Sequence, residues 1–197
     1  MKVLALPELQ ETSDLPCDTG SAPGVLAAEF GREGARFEGC VDLGRVHEGW
    51  NSNEGVWSPR AEAIEARARE GRRVLLKLGE DAKAVKGGED GDGDGDVEIV
   101  VVTHGGFLHY FTEDWDGHEK FTGTGWANTE VRSYEFVTGA EEGASLMETR
   151  ESRLRRLGRE IPLTRDEQRE LRASAEKGWQ ESGFQTPPVE EEIEAKL

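Results

Sequence analysis

His104 closes the β-branched run Val97–Thr103 (V-E-I-V-V-V-T) and precedes Gly105-Gly106 and Phe107-Leu108, so a histidine stands where an expected strand gives way to an expected short helix. In open α/β sheets ligands gather beyond the carboxyl ends of the strands, and a helix starting there offers unpaired N–H donors and the positive end of its dipole to an anion. Glycine lets a phosphate approach the backbone closely. A histidine at such a corner donates to a phosphoryl oxygen and stabilises charge in a transition state. The same residues also fit a loop histidine whose glycines only turn the chain.

Other constellations carry less. His104, His109 and Asp114 are close in sequence, but residues five apart on a helix point about 140° from each other, so no metal site is expected. Asp90-Gly91-Asp92-Gly93-Asp94-Gly95 imitates the start of an EF-hand loop, yet the twelfth position, where a bidentate Glu is needed, is Val101. Cys17 and Cys40 suit a reducing compartment as buried or idle thiols. Arg150–Arg172 holds eight arginines against five acids and reads as a solvated helical face laced with ion pairs, or as a surface for an acidic partner. Trp50, Trp57, Trp115 and Trp126 fall in expected loops, where they line a pocket or seal the core.

The elements that must position these residues follow from periodicity. Lys2–Leu6 reads as a buried strand ended by Pro7, and Ser21 with Pro23 starts a short helix that buries Leu26 and Phe30 before Gly31. Arg32–Trp57 reads as loop. Ser58-Pro59 opens a helix that Gly79 stops, with Ala61, Ile64, Ala68, Gly71, Leu75 and Leu78 on one stripe and the Arg and Glu residues facing water. Lys83–Asp96 is expected to be a solvated, disordered loop. Val97–Thr103 should be a parallel strand covered on both faces. Thr129–Val137 alternates in period two, as an edge strand does. Thr164-x-x-Glu167 is a capping box for a last helix through about Gly183, with Leu171, Ala175 and Trp179 at spacing four.

The 197 residues suggest one domain, or one with a small appendage, and apolar residues at 35% build a thin core amid 25 glycines. The 24 basic and 41 acidic residues leave −17, which argues against a nucleic-acid partner or an anionic membrane surface. Eight acids and two lysines fall within Glu80–Glu98, and four acids and one lysine within Pro187–Leu197, so the excess is local. No apolar run reaches the roughly 18 residues of a membrane helix, and the start is too soon acidic for a signal peptide. A cytoplasmic protein is the expectation.

Three strings taken together resemble the histidine phosphatase (phosphoglycerate mutase-like) superfamily, and within it the fungal phosphoglycerate mutase family proteins. They are Leu9-Gln10-Glu11 after a short strand, Val100–Leu108 (V-V-V-T-H-G-G-F-L), and Gly123-Thr124-Gly125-Trp126-Ala127-Asn128-Thr129. The likeness extends from about Leu4 to Phe136 and more loosely to Phe184. It implies a three-layer α/β fold, a mostly parallel sheet flanked by helices, in residues 1–140, with 141–197 as an Arg-rich helical extension ending in an acidic tail. It also implies a phosphomonoester phosphatase working through a phosphohistidine on a phosphorylated small molecule, without cofactor or metal. His104 would be the second, phosphate-holding histidine, Glu11 the proton donor with Glu8 its competitor, and Gly105 and Asn128 substrate contacts.

The departures matter as much. The family's nucleophile sits in an Arg-His-Gly motif, which occurs nowhere here; His47 follows Arg45-Val46 and lacks the glycine. The family's Ser-Pro-x-x-Arg-like motif before the Glu11 strand is also missing, and Ser58-Pro59-Arg60 lies after it. What remains resembles the C-terminal two thirds of a family member, so the chain alone is expected to be inactive. The alternatives are a non-catalytic phosphate-binding pseudoenzyme or a truncated gene product, with a mutase less favoured than a phosphatase. The central strands of that fold are absent, which leaves Val97–Thr103 with an unpaired apolar edge and an expectation of aggregation or a molten state. A different sheet would have to place it beside Lys2–Leu6 or Thr129–Val137.

Overall fold

The computed structural model describes residues 2–34, 36–86, 96–117, 124–139 and 142–188. Its longest element is the helix with the most regular apolar stripe. α2, residues Ala61–Lys86, buries Ala61, Ile64, Ala68 and Leu75 along one side, whereas Leu78, expected on that stripe, is exposed. Gly79 does not stop it. A lone interior glycine costs only about 1 kcal/mol against alanine, and the following Ala82, Lys83 and Ala84 favour helix, so residues 83–86 are helical rather than loop. The rest of the expected acidic loop, residues 87–95 with their EF-hand-like run, lies outside the described residues.

Arg67 and Arg72 of α2 are buried, contrary to the expectation that its charged residues face water. Each is spent on backbone carbonyls. Arg72 donates to Tyr110 O and Phe111 O near the end of the next helix and to Gly143 O, and pairs with Glu113.

α3, residues Gly105–Thr112, packs Phe107, Tyr110 and Phe111 against α2. Gly71 makes the approach possible, since a Cβ there would stand 3.1 Å from Leu9 and 3.4 Å from Phe111. α5, residues Arg165–Glu181, opens with the Thr164–Glu167 capping box that the spacing predicts; it adds Ala175 to the same core, with Leu171 and Trp179 packed beside it. α1, residues Pro23–Phe30, forms as expected, although Leu26 and Phe30 are only half-buried. α4, residues Arg150–Leu157, is capped by the Thr149 hydroxyl and ended by Gly158 in the left-handed region at φ 66°.

The strands are short. β1, Val3–Leu4, pairs in parallel with β2, Val41–Asp42, which arises inside the stretch read as loop; Val3 is exposed, so β1 is not the buried strand expected. β3, Tyr134–Phe136, pairs antiparallel with β4, Leu146–Glu148. The edge strand expected over Thr129–Val137 is thus reduced to Tyr134–Phe136, the length of its three-residue partner, and Thr129, with a φ of 64°, stands outside any strand. The chain is therefore mixed α/β, with five α-helices and two two-stranded sheets among the described residues.

Val97–Thr103 is the main departure. It runs from Asp96 to His104 without a bend or turn, yet none of its backbone groups is hydrogen-bonded to another described residue. Val100 and Val102 are 81% and 89% exposed, so the expected strand covered on both faces is not formed. Neither candidate partner pairs with it: β1 pairs only with β2 and β3 only with β4 among the described residues.

Candidate functional site

Three segments converge on the start of α3. His104 is its N-cap, in extended conformation (φ −109°, ψ 148°), and its side chain does not cap the helix. The His104 carbonyl accepts from Leu108 N–H, which closes the first turn. The N–H groups of Gly105, Gly106 and Phe107 have no acceptor among the described residues and carry the positive end of the helix dipole.

Glu11 meets this corner from the N-terminal segment. Its Oε1 accepts from Thr12 N–H at 2.8 Å and from the Thr12 hydroxyl at 3.3 Å. Its Oε2 lies 3.7 Å from His104 Nδ1, within ion-pair reach, and the imidazole is half exposed while Glu11 is largely covered. Gly106 is what lets the two elements meet, since a Cβ there would stand 3.1 Å from both Glu11 Oε1 and Thr12 Oγ1.

The third segment contributes Thr124. A Cβ on Gly105 would fall 2.3 Å from Thr124 Oγ1, so the space that glycine leaves is filled by this hydroxyl. Asn128, four residues on, stands on an exposed turn with its carbonyl taking the Thr129 hydroxyl.

Below the corner, Arg67 holds the Glu11 segment in place. Its guanidinium donates to Gln10 O at 2.7 Å, Glu11 O at 3.1 Å and Glu8 O at 3.4 Å, and lies over the Phe107 ring at 5.1 Å. Burial lowers its pKa to about 10 against the opposing pull of Glu11 and Glu8. Thr103 adds a bond from its hydroxyl to Leu9 O at 2.7 Å. Thr12 and Arg67 belong to none of the quoted strings, and Thr103 and Thr124 lie within them without a role of their own; Arg67 carries a signal, as a charge three residues after Ile64 and one before Ala68, on the edge of the apolar stripe.

Glu8 stands apart from His104. Its carboxylate lies 3.6 Å from Arg45, and its other oxygen is buried without a partner. His109 is fully buried with both ring nitrogens facing carbonyls, of Asp114 and Thr124, and burial lowers its pKa. His47 is exposed beside Trp57, and His118 lies outside the described residues. Among the described residues no three His, Cys, Asp or Glu side chains are grouped to hold a metal ion. Cys17 and Cys40 are free and exposed rather than buried.

The tryptophans make packing contacts, and Trp115 also lines a cleft with Glu65, Tyr110, Gln168 and Arg172. Trp115 stacks on His109 and meets Tyr110 and Trp179, Trp126 carries the Arg132 guanidinium at 3.5 Å, and Trp50 covers Gly20. In the Arg-rich segment Arg153 is buried, donating to the carbonyls of Glu148 and Glu160, and Arg156 pairs with Glu148 at 2.6 Å. No helix among the described residues is long and apolar enough to cross a membrane. No protein-family model, curated protein or solved structure matches the chain.

Proposed function

We propose that the corner formed by His104, Glu11 and the first turn of α3 binds the phosphoryl group of a small phosphomonoester in a cytoplasmic protein of the histidine phosphatase type. The observation that carries this reading is the pairing, across 3.7 Å, of a solvent-reached imidazole with a carboxylate at a helix start whose N–H groups are open. The N–H groups and the imidazole take phosphoryl oxygens, and Glu11 stands where it can pass a proton to the leaving oxygen. The reading includes the three-layer fold of that superfamily, whose sheet Val97–Thr103 would join.

Covalent catalysis requires a group to attack phosphorus, and His104, holding the phosphoryl, cannot also attack it. His109 has both ring nitrogens on carbonyls, and neither His47 nor His118 stands in an Arg-His-Gly motif. The 197-residue chain is therefore a phosphate binder without turnover, and phosphohistidine chemistry belongs to a protein completed with an Arg-His-Gly segment. The test is hydrolysis of p-nitrophenyl phosphate alongside calorimetric binding of inorganic phosphate. Binding that weakens at least about tenfold in His104→Ala, with hydrolysis no faster than buffer, is expected. Turnover that persists through repurification and disappears in His104→Ala would overturn the assignment of roles.

A further inference from the structure

Thr124 meets the start of α3 with its side chain. A Cβ built on Gly105 would stand 2.3 Å from Thr124 Oγ1, 3.0 Å from its Cβ and 3.3 Å from its Cγ2, so the hydroxyl is the part nearest the helix. In an α-helix the Cα–Cβ bonds tilt toward the N-terminus. A hydroxyl occupying the Cβ place of the first helical residue therefore lies on the N-terminal side of the first turn, where the N–H groups of Gly105, Gly106 and Phe107 are open. Thr124 is half-buried, and its hydrogen bond is made through its carbonyl, which leaves the hydroxyl without a partner among the described residues.

The turn that carries Thr124 is fixed from two sides. Nε2 of His109, whose ring is fully buried and stacked on Trp115, faces Thr124 O. Arg132 donates to Gly125 O at 3.0 Å, pairs with Glu130 at 2.6 Å and lies on the Trp126 ring at 3.5 Å. Holding a group in place beforehand removes part of the ordering cost of binding. We propose, on the reading of the His104 corner as a phosphoryl site, that Thr124 is a further ligand-binding residue there. Its hydroxyl donates to an oxygen of the phosphoryl group that His104 and the open N–H groups hold. A hydroxyl hydrogen rotates to the acceptor that is present, so it serves a free phosphate and a phosphate ester alike.

Thr124→Ser and Thr124→Ala both lose the methyl group and differ from each other by the hydroxyl oxygen, so their comparison isolates the hydroxyl. Calorimetric titration of the full chain with inorganic phosphate should give Thr124→Ser an affinity about fivefold or more above that of Thr124→Ala, as one hydrogen bond implies. In the native chain the Thr124 methyl resonance should follow the same saturation curve as the Gly105 amide. Equal or reversed affinities in the two variants while His104→Ala weakens binding would overturn the role of Thr124 and leave the phosphate site standing. So would a Thr124 methyl that stays still while the Gly105 amide moves. A native chain that binds no phosphate, or binds it equally well after His104→Ala, would overturn the site and the role of Thr124 with it.

Discussion

Glu11 divides its two oxygens between separate tasks, one held by Thr12 and one turned to His104. A carboxylate facing a phosphate dianion repels it, so Glu11→Gln should tighten inorganic phosphate binding roughly threefold to tenfold while His104→Ala weakens it, both read by calorimetry. Tighter binding in both variants would remove His104 from the phosphate. In a protein completed with the Arg-His-Gly segment the same Glu11→Gln should slow alkyl phosphates by about 10²–10⁴-fold but spare nitrophenyl phosphate, whose leaving group needs no proton. Equal losses would reopen the case for Glu8. Gly105 sits at the same corner for a steric reason. Gly105→Ala drives a methyl into Thr124 Oγ1 and should cost about 1–3 kcal/mol in chemical denaturation, with Thr124 pushed away from the helix start.

At the level of elements, buried guanidiniums tie helices to irregular backbone that has no ladder of its own. Arg67→Met would leave the carbonyls of Glu8, Gln10 and Glu11 without their donor, and a loss of about 3 kcal/mol in urea unfolding is expected. The bridge between Glu148 of β4 and Arg156 of α4 behaves differently, because it titrates. Burial pushes the Glu148 carboxyl up, but the bonds from Arg156 and Ser152 outweigh it and hold the group below its ordinary value. Its contribution is therefore complete above about pH 4.3, the unfolded value, and is lost as pH falls through the lower folded value. Glu148→Gln should be less stable than the native chain by about 1–3 kcal/mol at pH 7, and the difference should close below about pH 4. A gap that widens on acidification would contradict the sign. Helix ends were legible in part: the Thr164–Glu167 box formed as its spacing requires, whereas Ser58-Pro59 does not open α2, which begins at Ala61 while Ser58 ends the short turn before it. They were not where only propensity spoke, as at Gly79, since packing of Ile64, Ala68 and Leu75 already fixes α2 and one glycine is too weak to end it.

For the molecule as a whole, local pattern was readable and pairing was not. The apolar stripe of α2 and the Leu171–Ala175–Trp179 face of α5 meet Phe107 and Tyr110 in one core, because helical periodicity survives whatever the chain packs against. Strands depend on partners distant in sequence, and so Val97–Thr103, the most strand-like run by composition, is the one without a ladder, while Val41–Asp42 pairs from inside a Gly-rich stretch. The site was legible in part: the His-Gly-Gly corner and Glu11 could be picked out, and Thr124 lay in a quoted string without a role, but Arg67 reaches the corner from 37 residues before His104, a distance no local motif spans. With a net charge of −17 the molecule's overall field opposes any phosphate, so binding must come from local donors at that corner. The most direct test is a titration of the ¹⁵N-labelled chain with inorganic phosphate, following each backbone amide and the histidine rings. Saturable shifts concentrated on Gly105, Gly106, Phe107 and the His104 imidazole, and absent from His104→Ala, are expected. Shifts confined to the Arg-rich segment 150–172, or no saturable shift at all, would contradict a phosphate site at the start of α3.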